Sequence, residues 1–372
     1  MTHPEARVLH INDAAFTTTV LMAEARRRGL PWRYLPLASL EGHWKGLHRV
    51  VRRGLRGARW EAGLARLATT TDVLHVHVAS VARHTAWVPR RYVLHLHGTD
   101  IRSHQYDPRY RSQVRRALQG AAAVLYSTPD LAPHIPEGIE ATLFPVPLDT
   151  AALPAWTPHP QPRVVFSSRW DDVKGATVQL AVARLLHSAF GKRVELVGVD
   201  WGPLADEARR AGVLLLPRSS HDEYVRLLAS AHVVVGQPTG MLAASELEAL
   251  GIGVPTVTPI HTAWYQQAGA PLPPVLGGTD LDIFRLPPQD PNQGDPPLTQ
   301  AEVTALAKAI TATVALALDD PAAAVPPATG ANLTSPQTWT VPEHWVAQQH
   351  GAAVSVDKLV PLYRRLIHGR EN

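Results

Sequence analysis

A chain of 372 residues exceeds what one hydrophobic core usually organises, so two domains are expected. It has no cysteine, which excludes disulfides and thiolate metal sites; no run reaches the roughly 18 apolar residues of a membrane span, and the start Met-Thr-His-Pro-Glu-Ala-Arg lacks the apolar region of a secretory signal, so a cytoplasmic protein is expected. The net charge of +4 is unevenly spread: residues 1–150 hold 20 Lys/Arg against 12 Asp/Glu, the remainder 16 against 20, which points to an anionic partner for the first part, whether membrane surface, phosphorylated acceptor or nucleic acid.

Short β-branched runs alternate with helical segments from the start. Arg7 to Ile11 reads as a strand, Thr18 to Arg28 as a helix, and Trp32 to Leu37, Val73 to Val78, Tyr92 to His97 and Ala123 to Tyr126 as further strands. Such alternation means βαβ units around a parallel sheet. The segment Trp44 to Trp60 is a basic amphipathic helix: Trp44, Leu47, His48, Val51 and Leu55 fall together, with Lys45, Arg49, Arg52, Arg53, Arg56 and Arg59 in the adjacent sector. It either lies on an anionic membrane surface or packs its apolar stripe on the sheet with its cations solvated. No DNA- or RNA-binding module is evident, so nucleic acid is not expected as a partner.

Four prolines between Leu153 and Pro162 interrupt the pattern, which restarts at Arg163 to Ser167. Residues 1–150 are therefore expected to form a first domain, 151–162 a linker and 163–340 a second domain. In the latter, Val194 to Gly198, Val213 to Leu216, Val233 to Gly236 and Val254 to Val257 read as strands. Ser220 with Glu223 and Thr299 with Glu302 read as capping boxes. The stretches 286–297 and 321–330 are turn-rich or Ala/Pro-rich loops. Residues 341–372 supply C-terminal helices expected to return to the first domain, the last spanning Val354 to Ile367.

Two segments carry the chemistry. The string from Gly240 to Val257 reads as a helix opening on glycine, where the unpaired amides of Gly240, Met241 and Leu242 favour a phosphate, with Glu248 two turns on to accept from vicinal hydroxyls. The segment Ser167 to Gly175 places Arg169 and Lys174 five positions apart at a strand's carboxyl end, where two permanent cations can clamp a diphosphate. A plain surface pairing of Arg169 with Asp171 or Asp172 is the other reading.

These residues resemble a known family. Arg169 and Lys174 in Ser-Arg-x4-Lys-Gly, the strand ending at Gly198, the strand Ala-His-Val-Val-Val235, and Glu248-Ala-Leu-Gly-x-Gly-x-Pro-x-Val257 are similar to the second domain of the retaining GT-B glycosyltransferases of family 4. Asp72-Val-Leu-His75-Val-His77 and Leu94-His-Leu-His97-Gly-Thr-Asp100 resemble that family's first-domain strand-end motifs. The resemblance implies two Rossmann-like α/β domains with mainly parallel sheets facing across a cleft, and transfer of a sugar from a nucleoside-diphosphate sugar to an acceptor hydroxyl, with retention and without metal or cofactor, in cell-envelope or polysaccharide synthesis. It further implies that Arg169 and Lys174 stabilise the leaving diphosphate, Glu248 holds the ribose, and Gly240, Met241 and Leu242 contact phosphates or sugar. His97 lies near the transferred sugar, the Asn12 to Phe16 loop lines the pocket, Gly98 and Asp100 belong to the donor site, and Pro217 and Arg218 reach the base. The acceptor is a glycan, a lipid-linked or a small molecule. Gly240 stands where the family usually has a second glutamate, and the Asn12 loop lacks the usual glycine pair; a changed donor or a non-catalytic nucleotide-sugar-binding protein of the same fold is compatible with both.

Histidine offers a rival. His75 and His77 share one strand face, as do His95 and His97, and four imidazoles could bind zinc with Asp72 or Asp100 in a metal-dependent hydrolase. The pairs Asp171-Asp172 and Asp280/Asp282 are weaker candidates for a metal-bound diphosphate.

Overall fold

The computed structural model describes residues 5–37, 46–276, 298–319 and 342–368. The candidate residues Trp44, Lys45, Asp280 and Asp282 and the two loops 286–297 and 321–330 lie outside the described residues, as do the side chains of Leu47, His48, Arg49 and Arg53. The chain divides into two compact units, Met1–Pro147 with His350–Asn372, and Leu148–Gln349.

The first unit is built on six parallel strands: β1 (Val8–Ile11), β2 (Trp32–Leu35), β3 (Val73–His77), β4 (Arg91–Leu96), β5 (Ala123–Tyr126) and β6 (Ala141–Leu143). Their spatial order is β2-β1-β3-β4-β5-β6. All residues of β1 and β3 are buried, the signature of a parallel sheet covered on both faces. Helix α1 (Thr17–Arg27) buries Leu21, Met22 and Ala25, while α2 (Gly46–Ala68) and α3 (Arg111–Gly120) make further crossovers. The last helix of the chain, α11 (Ala352–His368), belongs to this unit: Val356, Leu359 and Tyr363 enter its core beside Val8, Leu21 and Trp32, and Arg28 bonds Asp357 and the Ala353 carbonyl.

The second unit carries five parallel strands, β7 (Arg163–Phe166), β8 (Glu195–Val199), β9 (Leu214–Leu216), β10 (Val233–Val235) and β11 (Thr256–Val257), in the order β11-β10-β7-β8-β9. Around them lie α4 (Ala176–Phe190), α5 (Ala205–Arg210), α6 (His221–Ala229), α7 (Ala244–Ile252), α8 (Thr262–Gln267), α9 (Gln300–Asp319) and α10 (Pro342–His350). Ser220 and Glu223 form the expected reciprocal box at α6, and Thr299 with Glu302 does the same at α9. By length and composition α9 is apolar enough to cross a membrane, against the sequence expectation; here its stripe of Val303, Leu306, Ile310 and Val314 packs in a core with Val178, Val182 and Leu186 of α4. The proline-rich segment is pinned to its own unit by Trp156 Nε1 on the Ala231 carbonyl and by the Thr157 and His159 amides on Ala229 and Ser230.

Strand β6 has no counterpart in the sequence reading, because three residues with none fully buried are too short a run to show a strand pattern. The clearest correction concerns α7. It begins at Ala244, four residues after Gly240, and Gly240 instead adopts a left-handed φ of 82° and bridges Ile260. Gly240, Met241 and Leu242 are thus loop residues, and their amides are not a helix's first turn.

Candidate functional site

In an open parallel sheet, ligands bind beyond the carboxyl ends of the strands where successive connections run to opposite sides. The strand order puts that point between β7 and β10 in the second unit, and between β1 and β3 in the first.

Between β7 and β10 a buried carboxylate, unassigned in the sequence reading, does the joining. Glu246 has no exposed surface; its Oε1 accepts from Ser167 Oγ at 2.6 Å and from the Gln237 amide at 3.0 Å, and its Oε2 accepts from the Ala243 amide at 2.8 Å. One side chain therefore ties the ends of both strands to the start of α7. Close packing reinforces the junction, since a Cβ on Gly236 would lie 2.7 Å from Glu246 Cγ, and one on Gly175 would lie 2.6 Å from Pro238 Cγ.

The two expected cations follow β7. Arg169 Nε donates to Asp171 Oδ2 at 3.0 Å, and its guanidinium lies 5.6 Å from the Trp201 ring. The pairing weighed from sequence is therefore present, on a half-buried arginine. Lys174 closes a 3-10 turn, Asp172–Lys174, immediately before α4. The Asp171 carboxyl is held below the ordinary range by the Val173 N–H, then by Arg169 and by Lys174, so both cations act on one carboxylate. Trp170 anchors the loop: it is fully buried, its amide donates to the Trp201 carbonyl, and its ring packs under Gly198.

Trp201, 46% exposed, is flanked by Arg169 and, at 4.6 Å, by Arg218. The structure thus brings Arg218 to the same indole as Arg169, while Pro217 lies between β9 and α6. Trp201 was not singled out from the sequence, where an isolated tryptophan after a strand carries no signal.

Glu248, two residues after Glu246, is 4% exposed and accepts from or pairs with His221 Nε2 at 2.6 Å. Burial pushes its carboxyl up from the ordinary range, and the His221 contact opposes that. Tyr224 Oη donates to the Ser167 carbonyl at 2.5 Å; burial and both glutamates raise its phenol, so it stays protonated.

In the first unit, the ends of β1 and β3 are strained. Asn12 (φ 71°), Ala15 (50°), Phe16 (58°) and Val78 (76°) all lie in the left-handed region that disfavours side chains, most of all the β-branched valine. The Asn12 loop takes this conformation although it lacks glycine. Asn12 Nδ2 donates to the His77 carbonyl at 3.3 Å. Asp100, expected in the donor site, binds main chain: it accepts from the Ala79, His97, Gly98 and Ile101 amides, fastening the β3 and β4 ends together. These bonds make it a clasp that holds the His97 main chain, and Gly98 (φ 124°) forms the turn inside it. Burial raises the Asp100 carboxyl while those four N–H groups oppose the shift.

His75, His77, His95 and His97 do share one sheet face, and register adds a fifth, His10, directly beside His75, as His77 stands beside His95. Two triads, His10/His75/His77 and His77/His95/His97, bring ligand nitrogens within 4.8 Å. Yet the His75 and His77 rings stack within 2° of parallel, which keeps their in-plane lone pairs from converging on one ion, and the nitrogens meet in pairs at 3.0 to 3.3 Å.

The expected patch on α2 is partly described. Val51 and Leu55 are 52 and 67% exposed, so this part of the apolar stripe is not packed on the sheet; Arg52 and Arg59 are exposed and Arg56 half-buried on the neighbouring sector.

No protein-family model matches the chain, and no curated protein matches it by sequence. Among solved structures it is similar to a sucrose-phosphate synthase from Thermosynechococcus elongatus (TM-score 0.61, 14% identity, 98% of this chain and 100% of that one). It is also similar to Anabaena HepE in complex with UDP-glucose (0.59, 14%, 96% and 99%) and to a putative UDP-N-acetylglucosamine 2-epimerase from Listeria monocytogenes (0.57, 13%, 99% and 98%). At these identities the likeness shows the fold alone, the GT-B architecture of two parallel α/β sheets with surrounding helices.

Proposed function

We propose that this chain is a glycosyltransferase that moves a sugar from a nucleoside-diphosphate sugar to an acceptor hydroxyl, with retention at the anomeric carbon and without a metal or cofactor, the nucleotide sugar being a substrate. The observation that carries this reading is the convergence of Arg169, Lys174 and the start of α4 on the Asp171 loop, at the carboxyl end of β7 beside the β7/β10 switch point. A diphosphate arriving there competes with one carboxylate for two fixed cations and offers more oxygens than Asp171 does. HepE, solved with UDP-glucose, makes uridine the first nucleotide to test.

In this reading Glu248 accepts from the ribose hydroxyls, Arg218 and Trp201 flank the base, the Gly240 to Leu242 main chain borders the sugar, and His97 serves the transferred sugar. The bond from the anomeric carbon to the diphosphate oxygen breaks as a bond from that carbon to the acceptor oxygen forms on the same face. The acceptor's proton passes to an oxygen of the departing diphosphate. Arg169 and Lys174 stabilise the charge that develops there, in fixed positions that need no reorganisation. The exposed Val51 and Leu55 beside Arg52 and Arg59 on α2 fit an anionic membrane surface at which a lipid-linked acceptor in envelope or polysaccharide synthesis would be met, giving a cytoplasmic or peripheral protein.

Incubation with radiolabelled UDP-glucose and other nucleotide sugars, with hydrolysis scored apart from transfer, tests the reading. Acceptor-dependent labelling that persists in chelator and is lost in Lys174→Ala supports it. Binding without turnover would leave a nucleotide-sugar-binding protein, and interconversion of the donor sugar would make the chain an epimerase.

A further inference from the structure

One contact in the second unit ties a carboxylate to an exposed imidazole. His221, the first residue of α6, places Nε2 2.6 Å from Glu248 Oε1. Among the described residues no other group hydrogen-bonds this carboxylate. Its second oxygen, Oε2, has no partner there and is not enclosed, since 6% of the Glu248 side chain and 46% of the His221 side chain stay exposed. The connection that delivers His221 also carries Arg218, three residues earlier, to 4.6 Å from the Trp201 ring. Residues 218 to 221 therefore run from the indole to the carboxylate, at most about 10 Å of chain and comparable with one nucleoside.

Ordinary helix packing does not account for the contact. Helices α6 and α7 already share a core of Val225, Leu228, Ala249 and Ile252, so the pair is not needed to hold them together. Nor does an imidazole help the first turn of a helix, where the dipole favours the carboxylates of Asp222 and Glu223, and where Ser220 with Glu223 already forms the cap. That cap fixes the backbone from which His221 reaches Glu248.

We propose that His221 is a positioning residue for the nucleotide: it holds Glu248 by Oε1 and leaves Oε2 to accept from a ribose hydroxyl, so that the pair, rather than Glu248 alone, selects a ribonucleotide. The inference rests on the glycosyl-transfer reading, in which Glu248 serves the ribose.

A glutamate side chain has several rotatable bonds, and a ligand that must order it loses affinity in doing so. His221 orders it in advance. Charge works in the same direction. Glu248 has Glu246 two residues before it on α7 and faces His221 and Tyr224 of α6; burial raises its carboxyl, the His221 contact opposes that, and Glu246 adds to it. A protonated carboxyl exchanges an acceptor for a donor, whereas a carboxylate offers Oε2 with its lone pairs to a hydroxyl that donates. Without His221 the group is freer to rotate and more readily protonated, and both changes weaken its hold on a ribose while leaving a deoxyribose little affected.

The test is titration calorimetry of the full chain with whichever of UDP, GDP and ADP binds most tightly, and with its 2′-deoxy and 3′-deoxy counterparts, in wild type, His221→Ala and His221→Gln. In the wild type, removing at least one of the two hydroxyls is expected to weaken binding about tenfold. His221→Ala should bind the ribonucleotide roughly fivefold more weakly and the deoxy counterpart as before, so that most of the discrimination is lost. His221→Gln, whose amide N–H can take the place of the imidazole donor, should recover most of it. A contact that only braced the two helices would change the melting temperature and leave the ribose-to-deoxyribose ratio as it was. Equal binding of all three sugars by the wild type, or an unchanged ratio in His221→Ala, would overturn the inference while leaving the donor site in place. No binding of any nucleoside diphosphate would instead refute the glycosyl-transfer reading, and the role of His221 with it.

Discussion

Arg169 and Lys174 both act on Asp171, and this shared counter-charge sets what each substitution does. Removing either cation leaves the carboxylate with one cation beside the Val173 N–H, and a bound diphosphate with one fixed charge fewer. Arg169→Ala and Lys174→Ala are each expected to lower turnover by roughly 10²-fold, the scale of losing one charge-stabilising group, with little change in melting temperature; turnover within twofold of wild type in Lys174→Ala would refute the clamp. Gly175 makes the complementary case, because its φ of 68° and the 2.6 Å approach of Pro238 leave no room for a methyl group. Gly175→Ala should cost about 1–3 kcal/mol in urea denaturation, and an unchanged midpoint would contradict the packing described. The cations were legible in the sequence because charge and spacing after a strand are local properties. Glu246 was not: a carboxylate inside a helix gives no sign that it will be the buried tie between β7, β10 and α7, and Glu248 two residues on drew the attention instead. Asp100 was legible as a strand-end carboxylate, but its four amide partners depend on how the loops after β3 and β4 meet.

At the scale of elements, strands were read within a residue or two because parallel strands covered on both faces are continuous apolar runs, and β5 agrees residue for residue. The start of α7 was misread because glycine marks both a bare helix start and a left-handed loop, and Gly240 is the latter. His10 and Tyr363 escaped because the histidine face is assembled from β1, β3, β4 and α11, with Tyr363 288 residues from its partner His75. That face makes the first unit acid-labile. Burial depresses the folded pKa values of its histidines below the unfolded 6.5, to about 3 for His10 and His97, so the contribution of these two is complete above pH 6.5 and is lost as pH falls toward about 3. His10 and His97 each withdraw about 1.4 kcal/mol per pH unit over that window. Against a stability of about 5–15 kcal/mol, the first unit should unfold before pH 4, as followed by circular dichroism; a folded first unit at pH 3.5 would contradict neutral burial. On α2, Leu55→Glu should weaken sedimentation with anionic vesicles several-fold and leave transfer to a soluble acceptor unchanged, since Leu55 is 67% exposed. Equal vesicle binding would remove the membrane from the account.

For the molecule as a whole, the two units share a plan, a parallel sheet with its ligand-facing end at a switch point, but differ in chemistry. At that end the first presents imidazoles and strained backbone, and the second presents Arg169 and Arg218 about an exposed indole together with the buried Glu246 and Glu248. The measurement closest to the central claim is titration calorimetry of the full chain with UDP and other nucleoside diphosphates in the presence of chelator, repeated with Lys174→Ala. The account predicts saturable one-to-one binding of at least one nucleotide, weakened tenfold or more by the substitution. No heat with any nucleoside diphosphate or nucleotide sugar, or binding untouched by loss of Lys174, would contradict it.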